Sequence, residues 1–277
     1  MTIRSLPSLS PDQVVQLQDA LLANADRLLA SALTILDSGQ VALARSLAIL
    51  GMEESGKAIA LHERRVSIAY DPEGTSFVNE ALERLWSSHP EKLRKVHQFL
   101  VEEKYWFGTE PADQEVNRAA LGAIERWAKR HDKLKKRGFY VDVDRIGNPL
   151  EPTGVGDVET VRAVISYVHQ IGWQLRLGEH IEAKAQEQAA RDVPAADEAE
   201  IEEMRSMFRS VDPDMREQIL SDMRIAQPGQ KLANDAYRLK LPTENTHPFA
   251  NAGRPGYGAE TRELLNLAAE MDQDNDN

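Results

Sequence analysis

Hydrophobic and polar residues follow a helical period over nearly the whole chain. Val14, Leu17, Leu21, Leu28 and Leu36 fall on one helical spacing, with Ser10 and Pro11 supplying a cap and a first-turn proline before them. Gly39 stands where a C-cap glycine belongs, so the pattern predicts a helix from Pro11 to about Asp37. A second run, about Val41 to Ala69, ends at the turn sequence Asp71-Pro72-Glu73-Gly74. The short connection between two long amphipathic segments predicts an antiparallel helical hairpin. A third helical region covers Phe77 to Trp106, interrupted at Ser88-His89-Pro90, where the proline starts a new first turn. A fourth runs from about Asp113 to Lys136, and a fifth from about Asp157 to Ala190. Between the last two, Gly138 to Asp144 alternates and is β-prone, yet no other segment offers it a strand to pair with. An extended loop is expected there, continuing through Gly147, Pro149, Pro152, Gly154 and Gly156. No repeat period appears, which argues against a solenoid.

Composition changes this picture mainly at the C-terminal end. The chain has 277 residues, of which 42% are hydrophobic, enough for a real core. Its 33 basic and 45 acidic residues give a formal net charge of −12, which excludes a general basic coat for nucleic acid but not a local strip. From Arg191 onward 18 acidic residues face 10 basic ones, so most of the excess negative charge lies there. Two short acidic helices, about Ala196 to Val211 and Asp214 to Ile225, are expected, followed by a Pro-, Gly- and Asn-rich stretch, Pro228 to Gly258, and a frayed polar end. The organisation expected is a lead over 1–11, an all-α helical domain over 12–190, and an acidic, partly irregular extension over 191–277. That extension either wraps a partner subunit or dangles. The absence of Cys removes disulfides, thiolate zinc sites and cysteine nucleophiles. No stretch reaches the roughly 18 consecutive apolar residues of a membrane span, and the N-terminus has no apolar signal core, so a soluble cytoplasmic protein without a membrane partner is expected.

Three places could carry chemistry. On a helical wheel of the second helix, Leu43, Leu47, Leu50, Ala58 and Leu61 form an apolar arc with Glu54 in its middle, Lys57 on its flank and Glu53 further out. A carboxylate in such a stripe must be paired or hydrogen-bonded. It marks either an internal polar site, with Glu54 moving or orienting a proton, or a structural salt bridge. Ala44, Ala48, Gly51 and Ser55 form a neighbouring strip of small residues that lets another helix approach. His89, ahead of Pro90 and Lys92, is either a simple cap or surface residue or a titratable imidazole at a helix start beside a phosphate-holding lysine; His97 reads as a satisfied or exposed histidine. The segment Arg126 to Arg137 carries seven basic residues and one acidic one, among them Arg126, Lys129, Arg130 and His131. It is a solvated helix face, or a phosphate-contacting strip for RNA with Trp127, Phe139 and Tyr140 as stacking platforms. Gly154-Val155-Gly156 lacks the third glycine and preceding strand of a dinucleotide loop, and neither an HExxH zinc motif nor a serine nucleophile elbow is present.

Three of these segments, in order, are Ala-Leu-Ala-Arg-Ser-Leu-Ala-Ile-Leu-Gly-Met-Glu-Glu-Ser-Gly-Lys (42–57), His-Pro-Glu-Lys-Leu (89–93) and Lys-Lys-Arg-Gly-Phe-Tyr-Val-Asp (135–142). Together they resemble the AbiV family of abortive-infection proteins, within the HEPN superfamily of all-helical domains, over roughly residues 12–190. The resemblance implies a HEPN-like antiparallel bundle in which Glu53, Glu54, Lys57, His89, Lys92 and Tyr140 gather between helices. It also implies a phage-defence protein, a metal-independent toxin-like ribonuclease that cleaves RNA and halts translation, with no cofactor and no metal. Superfamily nucleases carry an Arg-x4-6-His pair, and Arg84/His89, Arg126/His131 and Arg162/His169 fit, none with the Arg-Asn start common in active members. Arg162 and His169 share one face early in the last long helix, where the superfamily places its pair, and rank first. On that reading His169 or His89 is the acid/base, Arg162 with Lys57 or Lys92 holds phosphate, and Glu54 orients. A homodimer and a phage-encoded activator or antitoxin-like partner are implied as well. The rival reading is a non-catalytic HEPN-like protein that blocks translation by binding a phage or host protein.

Overall fold

The computed structural model describes residues 5–105, 113–152, 157–240, 247 and 249–275. Within them the protein is a bundle of α-helices. The first helix, α1 (Pro11–Asp37), opens on Ser10, whose hydroxyl accepts from the Gln13 N–H while the Gln13 side chain accepts from the Ser10 N–H. It turns at Gly39, with φ of +81°, into α2 (Val41–Ile68), and the two form the expected antiparallel hairpin. The third region is two helices, α3 (Glu80–Ser87) and α4 (His89–Glu102), with Ser88 closing one and capping the other. Its expected end, Trp106, lies outside the described residues.

Three expectations are corrected. The single helix expected over Asp113–Lys136 is two, α5 (Gln114–Leu121) and α6 (Ile124–Phe139), because Gly122 takes a φ of +76° that ends the first. The expected extended loop contains a small antiparallel hairpin, β1 (Asp142–Val143) with β2 (Pro149–Leu150). Asp144 builds its turn by accepting from the Ile146 and Asn148 N–H groups. Gly154 and Gly156 lie outside the described residues. The polar C-terminal end, expected to fray, is helical in α10 (Gly258–Asn275).

Before it, α7 (Val158–Ala189) is capped by Asp157, and the acidic segment forms α8 (Glu198–Met207) and α9 (Pro213–Met223). After α9 the chain returns to the bundle. The Asn234 N–H donates to the Ala69 carbonyl, the Leu239 N–H to the Gln186 side chain, and Tyr237 stacks on Phe77 with ring centroids 5.5 Å apart. Arg262 of α10 reaches Asp26 of α1 at 3.0 Å.

The bundle is arranged around α2, which packs against α1, α4, α6 and α7 and keeps only a half-buried stripe, through Leu43, Leu47, Leu50, Glu54 and Lys57, towards solvent. Ile49, Met52, Ile59 and Leu61 are essentially without exposure, and Leu93, Ile171 and Leu175 meet them from α4 and α7. Two glycines set the closest approaches. A Cβ on Gly56 would fall on the Lys92 carbonyl of α4, and one on Gly138 of α6 would fall on the Ala42 carbonyl and the Ser46 hydroxyl. Ser46 in turn donates to the carbonyls of Ala42 and Lys135, joining α2 to α6. Among the described residues no helix is long and apolar enough to cross a membrane.

The core also holds two buried imidazoles. His62 of α2 bonds the Tyr105 hydroxyl at 2.7 Å, and Tyr105 donates to Glu182 at 3.0 Å. His131 of α6 lies with its Nδ1 2.9 Å from the Trp127 carbonyl and its ring over the Trp127 ring. Burial lowers both to about 4.

Two consequences can be measured. Since both histidines are neutral when folded and titrate near 6.5 when unfolded, protons bind the unfolded chain preferentially between those values. Stability is therefore full above pH 6.5 and falls as pH drops towards 4; between pH 7.5 and 5 each histidine accounts for about 2 kcal/mol. Urea midpoints at the two pH values check this, and His131→Gln should flatten the dependence by its share. The second concerns Gly138→Ala. At an exposed helix position this change stabilises by about 1 kcal/mol, but here the added methyl meets backbone. We expect a loss of about 1–3 kcal/mol from overpacking, read as a lower Tm.

Candidate functional site

The site forms where α2, α4 and α6 meet, and its centre is a buried carboxylate. Glu53 is 3% exposed. One of its oxygens accepts from Lys135 Nζ of α6, which is itself buried, and the other accepts from His89 Nδ1 of α4 at 2.6 Å. An ionised carboxylate only accepts, so Nδ1 carries the proton and Nε2 of His89 is left as the basic nitrogen. The His89 side chain is 53% exposed, so this imidazole is anchored at its base and open at its tip.

Local sequence places each partner. Ser88 caps α4 and Pro90 fills its first turn, which puts His89 at the helix start, over the orphan N–H groups. Lys92 follows on the same face and is buried beside Glu53, Glu54, Lys57 and Lys135. Burial first, and Lys57 next, lower its pKa from the usual lysine value, with Glu53 and Glu54 opposing. The contact at Gly56 is what lets the α4 backbone, and with it Lys92 and His89, come this close to α2. Lys57 pairs with Glu54 at 2.7 Å and lies 5.8 Å from the centre of the Trp86 ring of α3. Lys135 is also held by Asp132 at 3.3 Å, and Asp132 takes Lys136 at 2.6 Å.

Glu53, Glu54, Lys57, His89 and Lys92 are thus brought together. The two glutamates exchange the places read from the helical wheel: Glu53 is the buried one, and Glu54 stands at the edge with 20% of its side chain exposed. The wheel misleads because the stripe of Leu43, Leu47, Leu50, Glu54 and Lys57 is the half-buried side of α2, while Arg45, Ile49, Met52 and Glu53 face the neighbouring helices. Tyr140 is 67% exposed, its ring against that of Phe139. In α6 the exposed side chains are Arg126, Lys129, Arg130, Lys133, Lys136 and Arg137, while Trp127, Ala128, His131, Lys135 and Gly138 face inward. Arg126 and His131 therefore sit on opposite faces, as a regular helix requires. Arg162 is exposed on α7, and His169, two turns on, has Nε2 2.8 Å from a Glu263 oxygen of α10. Arg84 is exposed beside Glu80 at 3.6 Å.

Lys135 is the member of the cluster that the charge pattern hides, since it reads as one more member of a basic run. The signal for it is periodic: Trp127, His131, Lys135 and Gly138 form one stripe on a helix whose other face is charged. Trp86 has no comparable signal in the sequence. Among the described residues no group of three or more His, Asp or Glu side chains is arranged to hold a metal ion.

Removing one partner of a buried ion pair costs more than removing both. Lys135→Met should lose about 3–5 kcal/mol of stability, and Glu53→Leu combined with Lys135→Met should recover most of that loss. A chemical-denaturation cycle on the three variants measures the coupling; equal, additive losses would contradict the pairing.

With the geometry described, the comparisons carry a clear meaning. Neither the curated proteins nor the solved structures contain a match to the chain. The family model for AbiV matches residues 13–173, more than half of the chain, a span that holds Glu53, Lys57, His89, Lys92 and Lys135. The chain therefore belongs to the AbiV family of the HEPN superfamily, which sets it among abortive-infection proteins of phage defence.

Proposed function

We propose that the protein acts in phage defence as a metal-independent endoribonuclease, with His89 as its acid/base group. The observation that carries this reading is the imidazole fixed through Nδ1 to a buried carboxylate, with Nε2 open to solvent and a buried lysine on the same helix face. His89 Nε2 takes the proton from a ribose 2′-hydroxyl as that oxygen bonds to the adjacent phosphorus, and the bond from phosphorus to the 5′-oxygen breaks. Lys92, whose lowered pKa favours proton donation, supplies the proton to the departing 5′-oxygen. Lys57 lies close by for the phosphate charge that builds up, and Glu53 steadies the imidazolium. Lys135 pairs with Glu53 and holds it in place. The exposed basic side of α6, with Arg126, Lys129, Arg130 and Tyr140, offers a track for the RNA backbone. His131 supports that face from inside.

Arg162 and His169 serve less well as the reacting pair, because His169 Nε2 is buried beside Glu263 and its side chain is 27% exposed against 53% for His89. A second reading rests on a different observation. Val141, Val143 and Ile146 of the hairpin are exposed, Ile146 to 84%, which suits protein contact better than RNA. On that reading the polar cluster is structural and the hairpin side of α6 binds a phage or host protein.

RNA integrity in cells expressing the protein, with and without phage challenge, separates the two. We expect discrete cleavage that falls about 100- to 10,000-fold in His89→Ala, with a far smaller loss of Tm than in Lys135→Met because Lys135 still pairs with Glu53. Protection should fall with it. Intact RNA in every lane, with protection retained by His89→Ala and lost on charge reversal along Lys129–Lys136, would establish the binding protein instead.

A further inference from the structure

A second polar system lies at the other end of α2, twelve residues and about 18 Å along the helix axis from Glu53. Its centre is Arg176 of α7, whose side chain is 3% exposed. Arg176 donates to Asp19 and Glu179, each at 2.7 Å, and to the Gly256 carbonyl, and its guanidinium lies 3.8 Å from the centre of the Tyr257 ring. Arg65 of α2 also reaches Glu179, at 2.6 Å. Burial works against ionisation of Glu179, but the two arginines outweigh it and bring the group down to about 2. Two arginines thus face two carboxylates, and this layer is rigid and electrically balanced.

Above it opens a cleft of about 640 Å³, bounded by the start of α1, the middle of α7 and the chain between α9 and α10. That volume lies in the range of small-molecule sites. Its rim is not balanced. Arg238, Lys240 and Arg254 line it together with His180, and Asp12 is the acidic side chain at the rim. Arg238 has Asp235 at 2.6 Å, whereas Lys240 and Arg254 are in no ion-pair contact among the described residues; the Glu260 carboxylate, half-buried near His180 and Arg254, acts on Arg254 only from a distance. Arg254 is instead held by the Asn251 side chain at 2.7 Å and by the Tyr257 ring. Composition does not account for this. The extension is strongly acidic as a whole, yet Pro228 to Gly258 has four basic residues and two acidic ones, and three of those four line the cleft.

We propose that this cleft is a binding site for a small anion of the diphosphate class, free or as part of a nucleotide, held by Lys240 and Arg254 over the balanced Arg176 layer. Two cations on one rim, neither in an ion pair among the described residues, match a ligand with two adjacent phosphate charges, and the cleft's volume also admits the planar base of a nucleotide. Such a ligand touches α1, α7 and the extension at once, so binding ties the extension to the bundle and raises the stability of the whole chain. The cleft involves none of the groups assigned to RNA cleavage, so the two readings stand or fall separately.

The test is calorimetric titration and thermal unfolding of the full-length protein with pyrophosphate, ATP, AMP and orthophosphate. We expect saturable binding and a raised Tm with pyrophosphate and ATP, weaker effects with AMP and orthophosphate, and at least a tenfold loss of affinity in Lys240→Gln/Arg254→Gln. A preference for ATP over pyrophosphate would assign the planar group to the site; equal affinity would assign the diphosphate alone. The variant's unliganded Tm should match the wild type, because both side chains are exposed; if it does not, the single Lys240→Gln serves. Lys133→Gln/Lys136→Gln on α6 should bind as the wild type does. No binding of any probe, binding unchanged in the cleft variants, or an equal loss in the α6 variant would overturn the proposal.

Discussion

The structure depends on how one buried carboxylate is satisfied. Glu53 stands 3% exposed on a helix that other helices enclose, and an unpaired charge there would cost several kcal/mol. It has two oxygens, and each draws on a different element: Lys135 from α6 and His89 from α4. The same two bonds therefore hold the bundle's centre together and fix the orientation of its most accessible imidazole. Stability and chemistry are coupled here. Removing Lys135 to probe the site unpairs a buried charge, whereas removing His89, half in solvent, takes one bond from Glu53 and leaves its buried ion pair in place.

That convergence needs close backbone contact, and the two glycines supply it. Gly56 admits the Lys92 carbonyl to the surface of α2, and Gly138 admits the Ala42 carbonyl and Ser46 to that of α6. Both lie within one helical face of the polar cluster. A helix held by a methyl group's extra distance would leave Lys135 and His89 short of Glu53. Burial of Ile49, Met52 and Leu93 drives the helices together, but that attraction is non-directional. The directional information comes from the glycines and the paired charges.

Much of this is legible in the residues themselves, and what is not shares a common cause. Caps and turns are local: Ser10-Pro11, Ser88-His89-Pro90 and Asp157 mark helix starts where the structure has them. The gathering of Glu53, Glu54, Lys57, His89 and Lys92 follows from the family resemblance. Which glutamate lies inside does not, because the arc of Leu43, Leu47 and Leu50 is the half-buried side of α2 and its inner faces carry small and polar residues such as Ala48, Arg45 and Ser46. Lys135 is masked by the basic residues around it, although its stripe with Trp127, His131 and Gly138 faces inward. The hairpin at β1 and β2 is too short to show a period, and only Asp144 and Gly147 announce its turn. The return of the extension is invisible for a different reason. Its contacts, Asn234 with Ala69, Arg262 with Asp26 and Glu263 with His169, join residues far apart in the chain, and no local pattern encodes them.

Those long-range contacts explain why α2 and α7 tolerate so many polar groups inside. Along the buried length of α2 stand Arg45, Glu53 and His62, and near its end Arg65. Each is met by a different part of the chain. Glu53 is closed by α4 and α6, His62 by Tyr105 and through it Glu182 of α7, and Arg65 by Glu179. Arg176, beside Glu179, is completed only by the Gly256 carbonyl and the Tyr257 ring, which the extension contributes. The family match ends at residue 173, ahead of Arg176 and Glu179. The segment that carries the Glu53 cluster thus lies within the family match, while the polar layer at the far end of the bundle is finished by sequence outside it. A bundle whose second polar layer is closed by its own tail has a place where the tail's attachment and the burial of Arg176 rise or fall together.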